Sequence, residues 1–208
     1  MPAVGEAAFF TDAARKQVTE AVVDVESHTA AEVVVVVRRT SGTWREVDLA
    51  VGTAAGFAVL LLVLFHPKPI PVIAMPVDVA LGFVAGAVLS ANLSLLKRAL
   101  LPRRRVRAQV LAMARAAFVE HGVSRTTGRT GILVYVSTFE RLVEVVADVG
   151  VDPKAVQAEL DALRASLSHG ARFDRFLAAL RALGTPLGTC LPRSADDVNE
   201  LPDAPVMG

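Results

Sequence analysis

Two apolar runs, Leu49 to Phe65 and Val79 to Leu96, contain no Asp, Glu, Lys, Arg or His and interrupt a chain that elsewhere mixes charged with apolar residues. Each lies at the short end of the roughly 17 to 25 apolar residues with which a helix crosses a bilayer. A helix in a soluble core keeps a polar stripe for solvent. Phe57, Val59, Leu60, Leu61, Leu62, Val63, Leu64 and Phe65 leave none. The pattern predicts a transmembrane helical hairpin over 46–98, with spans at 49–65 and 79–96. It splits an α/β domain into a first part, 11–39, and a second, 103–184, followed by a proline-containing, acidic and mobile tail at 185–208.

The flanks set an orientation. Arg38, Arg39 and Arg45 precede the first run and Lys97, Arg98, Arg103, Arg104, Arg105 and Arg107 follow the second, whereas the loop from His66 to Asp78 offers only His66 and Lys68 as basic groups. The positive-inside rule then places both termini and the α/β domain in the cytoplasm and the protein in the inner or plasma membrane. The first ten residues hold Glu6 and no basic run, so export of the N-terminus is not expected. Pro67, Pro69, Pro71 and Pro76 make the outer loop stiff and extended. Gly52 with Gly56 and Gly82 with Gly86 are spaced for close helix approach in lipid. Contact within the hairpin is the first expectation, with only partial meeting of the two pairs near mid-membrane, and a homo-oligomer through one glycine face is the second.

The remaining segments alternate in type. Thr11 or Asp12 caps a predicted helix with Ala14, Val18, Ala21, Val22 and Val25 on one face. Glu32 then leads into Val33, Val34, Val35, Val36 and Val37, a run that suits a strand covered on both faces, as in a parallel sheet. A parallel partner needs a crossover, which the hairpin and a helix carrying Val106, Val110, Met113 and Ala117 supply. After Gly122 and a polar loop, Ile132 to Val136 and Leu142 to Ala147 read as an antiparallel hairpin. Asp152 and Pro153 open a helix striped by Val156, Leu160, Leu163 and Leu167. Arg172 to Leu183 forms another, with Gly184 as its stop signal. The expected fold class is α/β, a mixed β-sheet flanked by helices.

Chemistry is sparse. A formal net charge of +1 argues against nucleic acid as a partner, and Cys190, the single cysteine, excludes an internal disulfide or a cysteine metal cluster. No serine sits in a Gly-x-Ser-x-Gly elbow. A helix-to-strand boundary separates His28 from Glu32, and His121 and His169 each precede a glycine at a helix end, where imidazole suits the dipole. Arg125 and Arg129, in the loop Arg125-Thr126-Thr127-Gly128-Arg129-Thr130-Gly131, are candidates for holding a phosphate or other anion. Glu32, Glu140, Asp148 and Asp152 are carboxylates at strand ends, and Glu32, Glu140 and Asp148 form the candidate metal set for a hard cation such as Ca2+. Arg103, Arg104, Arg105 and Arg107 are placed for lipid headgroups.

His28-Thr29-Ala30-Ala31-Glu32 with its valine strand, then Arg129-Thr130-Gly131-Ile132-Leu133-Val134-Tyr135-Val136-Ser137, Glu140-Arg141 and Val145-Val146-Ala147-Asp148-Val149-Gly150-Val151, resemble the TPM domain family. The likeness covers both soluble parts and skips the hairpin. It implies a mixed sheet flanked by helices, acidic loop residues that bind calcium in some members, phosphatase activity in plant relatives, and accessory roles on membrane complexes in others. Glu140-Arg141 match the segment where the family often has an acidic pair before arginine, and Asp148-Val149-Gly150 match the following loop. Thr138 and Phe139 depart from it by supplying no second carboxylate beside Glu140. The expected function is an accessory or scaffold module for a membrane-associated protein. A metal-dependent phosphatase using Glu32, Glu140 and Asp148 is the alternative, and a lipid-headgroup binder the third reading.

Overall fold

The computed structural model describes residues 5–68, 71–152, 154–168, 170–194 and 198–208. The chain forms two compact units. One comprises Met1–Ser41 with Arg107–Gly208, the other Gly42–Val106.

The first unit is built on a four-stranded mixed sheet in the order β3-β2-β1-β4, with β1 Glu32–Arg38, β2 Gly131–Ser137, β3 Leu142–Ala147 and β4 Val206–Met207. β1 runs parallel to β2, from Glu32 opposite Gly131 to Arg38 opposite Ser137. The β1–β2 pairing is the parallel crossover that the valine run predicts. β2 and β3 form the expected antiparallel hairpin. α1, Asp12–Glu26, starts where Thr11 accepts the Ala14 N–H on its side chain, and it buries Ala14, Val18, Ala21, Val22 and Val25 as its periodicity requires.

Strand alternation sends Val33, Val35, Val37, Ile132, Val134 and Val136 into one core with α1, α6 (Gln157–Ser166), α7 (Phe173–Arg181) and α8 (Gly184–Cys190). Burying each such side chain contributes about 1.5–3 kcal/mol. Val34, Val36, Leu133 and Tyr135 are equally buried on the opposite face. α5, Arg103–Glu120, supplies Val110, Ala114 and Ala117 as its buried stripe. Met113, expected inward, is 38% exposed, because Ala114 continues the four-residue step from Val110 while Met113 falls to its side. Gly122, in the left-handed region at φ 68°, ends α5 as predicted.

In this unit three boundaries differ from the sequence reading. Gly184 does not stop a helix; it opens α8 beside α1, where a Cβ would stand at an ordinary 3.4 Å from the Val25 Cα. α6 begins only at Gln157, although Val156, Leu160, Leu163 and Leu167 are all buried; Pro153 lies outside the described residues, as do Pro69 and His169. The segment 185–208, expected as a mobile tail, carries most of α8 and ends in β4, which pairs with β1 at Val36 and Val37. β4 joins an otherwise open edge of β1, and a two-residue strand has no periodicity to betray it.

The second unit holds α2, Arg45–Leu64, α3, Met75–Asn92, and α4, Ser94–Leu100. Two of them, α2 and α3, are long and apolar enough to cross a membrane. α3 begins earlier than expected because Met75 and Pro76 open it, proline being favoured in the first turn. It also stops at Asn92, and the bend before α4 brings Lys97 back onto Asp48 of α2, with Nζ 2.9 Å from Oδ2. Ser90 donates to the other oxygen, Oδ1, at 2.8 Å.

Candidate functional site

The polar groups of the α/β unit gather at the two ends of its parallel strands. At the carboxyl end, Glu140 follows β2 and accepts from Thr40 Oγ1 at 2.9 Å and from Ser41 N at 3.0 Å through Oε1, and from Ser137 Oγ through Oε2. Ser41 Oγ meets Ser137 Oγ at 2.8 Å and the Tyr135 hydroxyl at 3.1 Å. Gln109 of α5 donates to Ser41 O at 2.9 Å. Burial pushes the Tyr135 phenol above its usual range, and the nearby Glu140 charge adds to that, while the Ser41 hydrogen bond and Arg38 oppose it. The Tyr135 phenol therefore keeps its proton, and each member of the network is hydrogen-bonded within the chain. It fastens the point where β1 leaves for the second unit to the point where α5 returns.

At the amino end, Glu32 opens β1 and its two carboxylate oxygens accept Glu200 N at 3.3 Å and Leu201 N at 3.2 Å. Glu26, the last residue of α1, accepts the Val33 N–H at 2.8 Å. Burial raises its pKa to about 8; the Val33 hydrogen bond lowers it, the neighbouring carboxylates of Glu32 and Asp203 raise it, and Arg193 lowers it again. Asp148 lies just past β3 at the same end. Its Oδ1 accepts Val149 N at 2.8 Å and pairs with Arg129 at 3.0 Å, and its buried Oδ2 has no hydrogen-bond partner among the described residues.

This geometry separates the candidate metal set. Glu32 faces Gly131 at one end of β2 while Glu140 lies beyond Ser137 at the other. Six strand steps of about 3.3 Å put them roughly 20 Å apart, so Glu32, Glu140 and Asp148 cannot share one cation. Glu32 and Glu140 already spend their oxygens on N–H and hydroxyl donors, and among the described residues no three His, Cys, Asp or Glu side chains are grouped to hold an ion. Asp152 is a turn residue that accepts Lys154 N at 3.0 Å. The calcium site implied by the resemblance does not fit these residues.

The anion candidates fare differently. Arg125 and Arg129 are both exposed and flank a tight turn in which Arg129 N donates to Thr126 O at 3.0 Å. Arg129 is the partner of Asp148, two residues that the sequence reading assigned to separate roles. Arg103, Arg104, Arg105 and Arg107 are exposed along the first turns of α5, with Arg105 3.4 Å from Glu46.

All four glycines of the hairpin lie in the α2–α3 contact. A Cβ at Gly52 would stand 2.8 Å from Phe83 O, and one at Gly56 3.1 Å from Val79 O. A Cβ at Gly82 would stand 2.6 Å from the Val59 side chain, and one at Gly86 2.5 Å from Ala55 Cβ and 3.3 Å from Gly52 Cα. Gly52 and Gly86 thus meet directly, closer than their spacing suggested, and the pair uses every one of these small residues internally.

Sequence reasoning passed over Glu26, Ser41, Ser137 and the Asp48–Ser90–Lys97 cluster. Glu26 had a signal, since it follows Val22 by one helical turn and so falls on the buried stripe of α1. Ser41 and Ser137 had none, because only the register of β1 against β2 brings them together.

These features define a mixed α/β protein whose four-stranded sheet is flanked by helices, with an apolar helical pair inserted in its central crossover. No family model matches the chain, and no curated protein matches it. Among solved structures it is similar to the NMR structure of the BA42 protein from the psychrophilic bacterium Bizionia argentinensis, with 16% identity, a TM-score of 0.58 and all of each chain covered. At that identity the likeness is one of fold.

Proposed function

We propose that the chain is a membrane-integrated, TPM-like accessory protein. In this reading α2 and α3 cross the bilayer, and the α/β unit with both chain ends lies in the cytoplasm and engages a membrane-associated partner. The observation that carries it is the exposure of the two apolar helices, only 17% and 11% of whose apolar windows are buried. Leu62, Phe65 and Leu81 are each more than half exposed. A core helix of a soluble protein would bury such residues, and a monomer in water rarely exposes a patch beyond a few hundred Å². Hydrocarbon is a solvent that suits them, since every helical backbone group is bonded within its own helix.

The excess of arginine on the flanks over the connecting loop favours the inward orientation. Arg103, Arg104, Arg105 and Arg107 then sit at headgroup level, where anionic lipid attracts each by about 1 kcal/mol. The hairpin is joined to the domain at two points within the crossover, so a partner held by either part is tied to both. Thr138 and Phe139, which supply no second carboxylate beside Glu140, favour an accessory role over chemistry. The phosphatase alternative lacks an assembled set of ligands.

Membranes washed at high salt and alkaline pH should retain the protein until detergent is added, and crosslinking in them should capture one reproducible integral membrane protein. Recovery in the supernatant after detergent-free ultracentrifugation would overturn the reading. Turnover of an aryl phosphate that needs calcium or magnesium and is lost in Glu32→Ala and Asp148→Ala would replace it with the phosphatase.

A further inference from the structure

The turn between α5 and β2 holds an anion that the chain itself supplies. Glu200, 73 positions further on, places its carboxylate on the Thr127 N–H, with oxygens at 2.9 and 3.2 Å. Arg125 and Arg129 stand on either side of that amide in the sequence, and all of Arg125, Thr127, Gly128, Arg129 and Glu200 are exposed. Arg129 pairs with Asp148, whereas Arg125 forms no ion pair among the described residues, and neither arginine pairs with Glu200. The Glu200 main chain is fastened separately, by its own N–H and that of Leu201 on the Glu32 carboxylate. The carboxylate is therefore delivered to the amide of an exposed residue in a turn that carries two arginines, and it uses only the amide.

We propose that the turn 125–130 is a binding site for a phosphate-type oxyanion, with Glu200 as a built-in occupant that an external ligand displaces. A phosphate oxygen can take the Thr127 N–H in place of Glu200, and its remaining oxygens suit a guanidinium, which binds phosphate in two-pronged fashion. Arg125 is the free group for that contact. The Glu200 carboxylate, its main chain tethered through Glu32, meets only the amide. This site is independent of the accessory reading, since it needs neither the hairpin nor a partner.

Thr127→Pro removes the donor with little strain. Thr127 is the second residue of the turn, a position that proline favours, and Thr126, at φ −60° and ψ 143°, already has the extended conformation that a following proline demands. The 208-residue chain in uncharged detergent is titrated with inorganic phosphate while the amide signals of Gly128 and Arg129 are followed by NMR. Glu200→Ala should bind at least tenfold more tightly than wild type. Adding Thr127→Pro or Arg125→Ala to it should weaken binding severalfold, with the β2 amides unmoved as the check on folding. Vesicles of phosphatidylcholine with and without phosphatidic acid separate the sources: shifts with phosphatidic acid but not with free phosphate assign a lipid headgroup, and the converse a soluble phosphate. No shift in Glu200→Ala with either ligand, or equal binding in both double variants, overturns the site.

Discussion

Glu26 has little room to ionise. It ends α1 with its side chain turned toward the start of β1, accepts the Val33 N–H, and faces the carboxylates of Glu32 and Asp203 with Arg193 as the nearby cation. Its pKa of about 8 lies above the ordinary value of 4.5, so between those limits the folded state binds a proton that the unfolded state has released. Stability from this group is complete below about pH 4.5 and is lost as pH rises through about 8, by an amount on the order of a few kcal/mol. The urea midpoint of the wild type should therefore fall from pH 5 to pH 9 more steeply than that of Glu26→Gln, which keeps an acceptor for Val33 and cannot ionise. Parallel pH profiles for the two proteins would show that the carboxyl is charged in the fold.

The elements that could be read from the sequence are those with a period. α1, β1, β2 and the stripe of α6 each repeat apolar residues at a spacing that only one conformation buries, and their boundaries lie close to expectation. β4 and α4 escaped because two strand residues or seven helical ones are set by what lies beside them: β1's edge for the one, Asp48 for Lys97 in the other. Sites follow the same rule. Arg125 and Arg129 are near in sequence and flank one turn, whereas Glu32, Glu140 and Asp148 were grouped by residue type, and a strand's length separates Glu140 from the other two.

The α2–α3 pair was legible as two apolar runs, but its tight contact depends on which backbone atoms face the glycines. A methyl at Gly52 meets Phe83 O at 2.8 Å, and a carbonyl held in a helix cannot turn away. Gly52→Ala should destabilise the pair by about 1–3 kcal/mol, the range for overpacking a close contact. Thr53→Ala, on the exposed side of the same helix where Thr53 Oγ1 merely donates to Leu49 O, should leave it within a few tenths. Thermal unfolding in detergent, followed by helical signal, compares them; equal midpoints for the two variants would place the helix contact elsewhere.

At the scale of the whole molecule, two units share one chain through a crossover, and the sheet sets the condition for their separation. Gln109 Nε2 lies 2.9 Å from Ser41 O, so the chain leaves and re-enters the α/β unit at neighbouring points. Loop closure costs little over such a span, since the entropy of joining two close ends grows only slowly with linker length. Among the described residues, the core cluster on the α1, α6, α7 and α8 side of the sheet also includes none between 42 and 106. Replacing residues 42–106 with a short Gly/Ser linker should yield a protein that folds alone, stays in the supernatant without detergent and keeps the pH dependence traced to Glu26. Circular dichroism and the fluorescence of buried Tyr135 report the fold, and fractionation reports the solvent. A shortened protein that still pelleted with membranes would locate the lipid attachment in the α/β unit. One that failed to fold would mean that the insertion is needed to bring β1 and β2 together, and that the crossover supplies structure as well as a route.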